Sequence, residues 1–258
     1  MIYLTGAGGM VGRRFRELYK KDTTTVSYRH KVYDVFGSHK KSCLIHLGWS
    51  STTRDKDGLK GKYDIFNRQE LFNYYAEKNP NGKIIFVSTA GDMHLNHAGD
   101  FCSGGEDPNP LTVYGKSKLH VEQVLDTVKC KTVVLRVSNI WGGSVGNERV
   151  NGLVDKLLNS VNTDKVVDIY TNLDTHVDLI HIEDFINLLI KVIDRDLDRD
   201  HEMFLVGNQC ISISDIIKRV SNRGVLNVRI DQKVERSYIN VSPSKAKYVF
   251  NWTPENTL

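Results

Sequence analysis

No apolar stretch in this 258-residue chain approaches the length needed to span a bilayer, so no membrane-spanning helix is expected. Cysteine is sparse. Cys43, Cys102, Cys130 and Cys210 lie far apart with no Cys-x-x-Cys, which argues against a zinc site or a disulfide framework and fits reduced thiols in the cytoplasm. The net charge of +4 is not gathered into any run of one sign, and basic residues do not interleave with aromatics. A nucleic-acid partner is therefore not expected, and the small positive balance suits anionic small molecules. Internal repeats and low-complexity tracts are lacking too. A first strand candidate opens at Ile2, leaving no room for a signal peptide, so a soluble, cytoplasmic protein is the expectation.

What is present is an alternation. Short apolar, β-prone runs occur at Ile2-Tyr3-Leu4, at 24–28, at Cys43-Leu44-Ile45-His46-Leu47, at 83–87 and at 132–137. Helical patterns fall at about 10–20, 64–78 and 114–128. Strands that are apolar on both faces and separated by helices predict an α/β fold with a parallel sheet covered on both sides. Beyond Gly142 the regularity weakens, with strands expected at 177–182 and 203–206. The stretch from Gly91 to Pro110 is long, rich in Gly, Asp, Asn and Pro, and without period, as substrate loops often are.

Two motifs carry chemistry. Thr5-Gly6-Ala7-Gly8-Gly9-Met10-Val11-Gly12 follows a strand and opens a helix. The strict Gly-x-Gly-x-x-Gly form fails at Val11, but Gly6, Gly9 and Gly12 keep a Gly-x-x-Gly-x-x-Gly spacing. Such a turn lets the backbone approach a pyrophosphate and aims helix-start amides at it, although a plain turn uses the same glycines. At the end of the second strand, Tyr28, Arg29, His30 and Lys31 offer cations and no carboxylate. That favours a 2′-phosphate, hence NADP(H) over NAD(H), with ordinary surface cations as the other reading.

The second motif is Tyr114 and Lys118, four residues apart on one helical face. A phenol loses its proton near pH 10. An ammonium about 4 Å away, at an effective dielectric near 20, supplies roughly 4 kcal/mol, enough to lower that value by about three units. Lys118 is thus expected to make Tyr114 an acid–base group at neutrality.

With both motifs placed, the chain resembles the extended short-chain dehydrogenase/reductase family, also called the NAD-dependent epimerase/dehydratase family. His46-Leu47-Gly48-Trp49 resembles its His-Leu-Ala-Ala segment, and Asp34-Val35 its adenine-contacting acid. Phe86-Val87-Ser88-Thr89-Ala90 resembles the strand end that carries its catalytic hydroxyl. Arg136 to Gly142 is similar to Arg-x-x-Asn-Val-Tyr-Gly, and Asp178 to Asp184 to Asp-Phe-Ile-His-Val-Asp-Asp. Ser244-Lys245-Ala246 with Asn251-Trp252-Thr253-Pro254 is similar to its closing segment. The likeness runs along almost the whole chain.

The resemblance implies a Rossmann-type doubly wound parallel sheet over 1–142 plus about 177–208. A small C-terminal substrate-binding subdomain would take about 143–176 plus 209–258. It implies that Gly6, Gly9, Met10 and Gly12 hold the cofactor diphosphate, with Arg29, Asp34, Leu47 and Gly48 further along the cofactor. Tyr114 would exchange a proton with the reacting sugar oxygen, and Lys118 would also bind the nicotinamide ribose. Thr89, 25 residues before Tyr114, is the expected hydroxyl partner. Ser88 is the fallback and a substrate contact, or else a strand-end group that satisfies backbone. Asn139 is expected on the substrate diphosphate, or as a cap of the following turn. His94 and His97 are expected at the surface, with no metal, and His181 and Asp184 at a strand-to-helix joint. A homodimer through the helix at 114–128 is the family habit.

Departures narrow the reaction. Val177 replaces the arginine that precedes Asp178 in the family, one strand–helix crossover before His46 is reduced, and the chain stops soon after Pro254. Ala90 stands where the dehydratases carry an acid, which disfavours elimination. The leading expectation is NADPH-dependent reduction of a 4-keto-6-deoxy sugar nucleotide. The alternatives are an NAD-dependent nucleotide-sugar epimerase and, from another class, an inactive NAD(P)-sensing regulatory protein.

Overall fold

The computed structural model describes residues 1–19, 21–27, 35–39, 41–50, 59–94, 101–144, 150, 152–234 and 239–258. Strand β1 (Ile2–Thr5) leads through the glycine turn into α1 (Met10–Leu18) and then β2 (Thr23–Thr25). Next come β3 (Cys43–His46), α2 (Leu59–Lys78), β4 (Lys83–Thr89) and β5 (Phe101–Cys102). They are followed by α3 (Val113–Leu125), β6 (Lys131–Val137), β7 (Asn139–Trp141) and α4 (Leu153–Leu158). The remainder holds β8 (Val166–Thr171), β9 (His176–His181), α5 (Ile182–Asp194), β10 (His201–Val206) and β11 (Gln209–Ser212). It closes with α6 (Ile213–Ser221), β12 (Asn227–Val234), β13 (Asn240–Val241) and α7 (Ser244–Phe250).

Six strands form one sheet in the order β10-β6-β4-β3-β1-β2, with every neighbouring pair parallel. The alternation of side chains divides each strand between two cores. Ile2 and Leu4 join Phe15, Phe185, Ile186 and Leu189 beneath α1 and α5. Tyr3, Ile84 and Phe86 join Leu71, Phe72, Tyr75, Val121 and Leu125 beneath α2 and α3. Fully burying a side chain of this kind contributes about 1.5–3 kcal/mol, so a strand apolar at every position is held only when helices cover both faces. The result is a Rossmann-type α/β fold, as the alternation in the sequence predicts.

The strand order turns over between β1 and β3, because the chain leaves β1 for β2 on one side and returns to β3 on the other. A crevice opens at such a point, at the carboxyl ends of the strands. Among the described residues between β2 and β3 none is helical.

A third core gathers Trp141, Val154, Leu157, Ile169, Ile211 and Ile216 around the short sheets β11-β9-β7 and β12-β8. The closing helix α7 packs on the large sheet instead, with Phe250 and Phe204 ring centroids 4.8 Å apart. Two boundaries differ from expectation. Helix α2 starts at Leu59 rather than at 64, and Gly61 is the place where α2 meets Val113 of α3. The long loop contains β5, which pairs in parallel with β13, a two-residue strand too short to carry a period. No helix among the described residues is long and apolar enough to cross a membrane.

Candidate active site

The glycine turn closes tightly on itself. Gly9 N–H donates to the Gly6 carbonyl at 2.9 Å, and Gly9, in extended conformation, caps α1. Gly6 has φ +69°, and a Cβ there would lie 2.6 Å from the Gly48 nitrogen. A Cβ on Gly12 would lie 2.3 Å from the Gly6 oxygen. The absent side chains therefore let the end of β3, at Leu47 and Gly48, press onto the turn, and let α1 press onto β1. On the outer side a Cβ at Gly8 would meet nothing within 4 Å. A narrow turn with open space before a helix start fits a dinucleotide diphosphate. Met10 points along the turn to Gly143, and Ser144 Oγ donates to its sulfur at 3.1 Å.

Helix α3 begins at Thr112, whose Oγ1 accepts from Gly115 N–H at 3.0 Å and donates to Asp92. A Cβ on Gly115 would overlap the Asp92 carboxylate, so only glycine lets that acid lie against the first turn. Tyr114 and Lys118 then face the ends of β3 and β4. Lys118 Nζ donates to the Val87 carbonyl at 2.6 Å and sits 4.4 Å from the Trp49 ring centroid, 5.0 Å from Phe86 and 5.5 Å from Tyr114. The Trp49 and Tyr114 rings meet edge to face at 6.4 Å. Because Trp49 follows Gly48, the Tyr/Lys pair and the glycine turn form one site at the switch point of the sheet.

The charge states differ from expectation. Burial, with Asp92 and Asp64 nearby, holds the Tyr114 phenol well above its ordinary value. Burial and then the Arg68 cation draw Lys118 down to about 7, against the opposing pull of Glu122 and Asp64. The expected lowering of the phenol by Lys118 is overturned: a lysine that gives up its own charge near neutrality cannot supply the field that lowering needs.

Of the two hydroxyls, Ser88 is buried and donates to Glu122, which Arg136 holds from β6 at 2.8 Å. That bond ties the Ser88 side chain to the α3–β6 junction. Thr89 is half-buried and accepts a long bond, 3.5 Å, from Asp92 N–H at the β4 end. Asn139 is exposed on β7 and its amide donates to the Asp178 carbonyl on β9 at 3.0 Å. His181 caps α5, accepting from Glu183 N–H, and Asp184 ties α5 to the backbone of Glu255 and Asn256. Arg29 and Asp34, with Tyr28, His30 and Lys31, lie outside the described residues, as does His97, whereas His94, expected at the surface, is buried.

Three site residues escape the sequence reading, Asp64, Arg68 and Asp92, and Trp49 enters it only as the end of the His46-Leu47-Gly48-Trp49 segment. Arg68 is fully buried and paired with fully buried Asp64 at 2.8 Å. Its Nε donates to His46 Nε2 at 3.1 Å and its Nη2 to the Gly48 carbonyl at 2.9 Å. His46 Nδ1 therefore carries the ring proton and donates to Thr5 Oγ1 at 2.7 Å. Burial, Arg68 and Lys118 all push this histidine well below its ordinary value, so the ring is neutral. The missed signal is positional: Gly61, Asp64, Arg68, Phe72 and Tyr75 share one helical face, and the others on it are core.

Comparison with known proteins shows the family and the fold. The model of the NAD dependent epimerase/dehydratase family matches residues 32–207. The chain is 24% identical over 253 residues to dTDP-4-dehydro-6-deoxyglucose reductase of Escherichia coli, covering 92% of this chain and 78% of that protein. Among solved structures it is similar to UDP-glucose 4-epimerase of Thermotoga maritima with UDP-glucose, at TM-score 0.84 and 17% identity over 99% of this chain and 94% of that one. It is also similar to RMD from Pseudomonas aeruginosa complexed with NADPH, at TM-score 0.80 and 16% identity, with 99% and 94% covered. At such identities the likeness to structures shows the fold.

Proposed function

Because the chain belongs to the NAD dependent epimerase/dehydratase family, we propose that it is an NAD(P)-dependent oxidoreductase of a nucleotide-activated sugar, and that it reduces a 4-keto-6-deoxy sugar nucleotide with NADPH. The observation that carries this reading is the placement of Tyr114 and Lys118 against Trp49 next to the glycine turn, where burial keeps the proton on the phenol. Reduction of a ketone needs a proton donor at that place. The E. coli relative, named a reductase of a 4-dehydro-6-deoxy sugar nucleotide, supports the same direction.

Bound along the turn, a nicotinamide supplies the hydride. Gly6, Gly9, Met10 and Gly12 would hold the diphosphate, with Leu47 and Gly48 beside it. Arg29 and Asp34 are assigned to the 2′-phosphate and the adenine. As the keto carbon takes the hydride, its oxygen takes the Tyr114 proton, and the product is the alcohol. Thr89 donates a hydrogen bond to the same oxygen and stabilises its developing charge. Asn139 faces the substrate diphosphate, and the subdomain of about 143–176 plus 209–258 covers the sugar. Cytoplasmic synthesis of activated sugars is the setting this chemistry fits. A homodimer would pair through the α2–α3 face, where Leu59, Tyr63 and Phe66 are exposed at spacings of four and three.

The experiment is NADPH oxidation in the presence of 4-keto-6-deoxy sugar nucleotides. A general acid contributes about 10²–10⁴-fold, so Tyr114→Phe is expected to lose that much in kcat. Interconversion of sugar nucleotides without net cofactor consumption would make the protein an epimerase. Cofactor binding with no turnover by the parent chain would make it a regulatory protein.

A further inference from the structure

The reacting pair rests on a charged layer that the proton transfer itself does not use. Trp49 carries two cations on one ring: Lys118 Nζ at 4.4 Å and the Arg68 guanidinium carbon at 5.0 Å from its centroid. An indole face attracts a cation, so each is held while the two repel. Arg68 cannot withdraw. Its three nitrogens are engaged by Asp64, His46 and the Gly48 carbonyl, and no part of it reaches solvent. Lys118 is held almost as firmly by the Val87 carbonyl.

We propose that Arg68 is a positioning residue of this site: it fixes Trp49 and the β3 end beneath Lys118, and its immobile charge couples the entry of an anionic dinucleotide to the uptake of a proton by Lys118. The proposal rests on reading Tyr114 and Lys118 as the reacting pair.

The groups that face Lys118 set the sign of this coupling. From its own helix come neutral Tyr114 and the Glu122 carboxylate, the latter already paired with Arg136. From α2 come Arg68 and Asp64, from β3 the neutral His46, and from β4 the Val87 carbonyl and the Phe86 ring. Arg68 is paired with Asp64 and Glu122 with Arg136, yet burial still penalises the ammonium and Arg68 adds to that penalty. A ligand bearing phosphates adds negative charge, which returns the proton. With the free lysine titrating near 7, binding at pH 8 recruits a proton, whereas at pH 6 Lys118 already carries it. Without Arg68 one of the two causes that lower Lys118 is gone, burial alone remains, and less of a proton is left to be taken up at pH 8.

Calorimetric titration of the full chain with NADPH in two buffers of different ionisation enthalpy counts these protons. The parent chain should take up close to one proton per site at pH 8 and almost none at pH 6. Lys118→Met should lose the pH 8 uptake, Arg68→Gln should reduce it, and Arg68→Lys, which keeps the charge, should retain most of it. A residue that merely supports the fold would weaken binding and leave the proton count alone. Uptake undiminished in R68Q, or its absence in the parent chain at pH 8, overturns the proposal. If R68Q does not fold, the parent chain at the two pH values decides. Failure to bind NADPH or NADH at all overturns the functional reading along with this one, whereas binding without uptake overturns this one alone.

Discussion

At Gly12 a methyl group has nowhere to go, since it would lie 2.3 Å from the Gly6 oxygen and 2.7 Å from the Ala7 Cα, both backbone. Overpacking of this kind costs about 1–3 kcal/mol. Gly12→Ala is therefore expected to lower the unfolding midpoint and to remove dinucleotide binding together. Gly8→Ala, whose methyl meets nothing, should leave the midpoint unchanged. Thermal unfolding with and without NADPH checks both, and equal effects at the two positions would contradict the account. At Tyr114 the same scale of reasoning reverses a familiar expectation. Helical spacing alone brings a lysine to the tyrosine, but spacing says nothing of burial, and burial together with Asp92 and Asp64 sets the phenol. Asp92 itself is legible only as a polar loop residue until the Gly115 backbone is seen beneath its carboxylate.

Among the elements, β9 is the joint. It pairs with β7 and β11 in the small sheet, and its Asp178 carboxylate accepts from Asn208 N–H at 3.2 Å and Val241 N–H at 3.4 Å. Burial raises Asp178 from the ordinary carboxylate range to about 6. Its folded-state value lies above the unfolded one, so its contribution to stability is complete below about pH 4 and is lost as pH rises through 6. Two units correspond to about 3 kcal/mol. Urea unfolding of the parent and Asp178→Asn chains from pH 4 to 7.5 should show the parent losing stability relative to the variant by about that amount. Parallel profiles would contradict it. The elements differ in how well the sequence announces them, for a physical reason. The runs of β1, β3, β4 and β6 are legible because both faces are buried and every position is apolar. Strands β7, β11 and β13 have two to four residues, and β8 and β12 keep one side open, so no period stands out. Asp64 and Arg68 are illegible because a charged pair in a helix reads as a solvated face, and only the core residues flanking them say otherwise.

For the whole molecule, the topology brings together what the sequence keeps apart. The glycine turn and the Tyr114/Lys118 helix lie about a hundred residues from one another, and the reversal between β1 and β3 sets both at one crevice. The exposed α2 side chains bear on assembly. Phe66→Glu is expected to turn a dimer into a monomer in light scattering, and a parent chain that is already monomeric would contradict the proposed pairing. The central claim is that Tyr114 protonates a sugar oxygen as hydride reaches the adjoining carbon. The most direct measurement supplies NADPH deuterated at the transferring position together with a 4-keto-6-deoxy sugar nucleotide, and compares the parent chain with Tyr114→Phe by mass spectrometry. The account predicts one deuterium in the alcohol product for each NADPH consumed, formed about 10²–10⁴-fold more slowly in the variant. Product without deuterium, or an unchanged rate in Y114F, would contradict it.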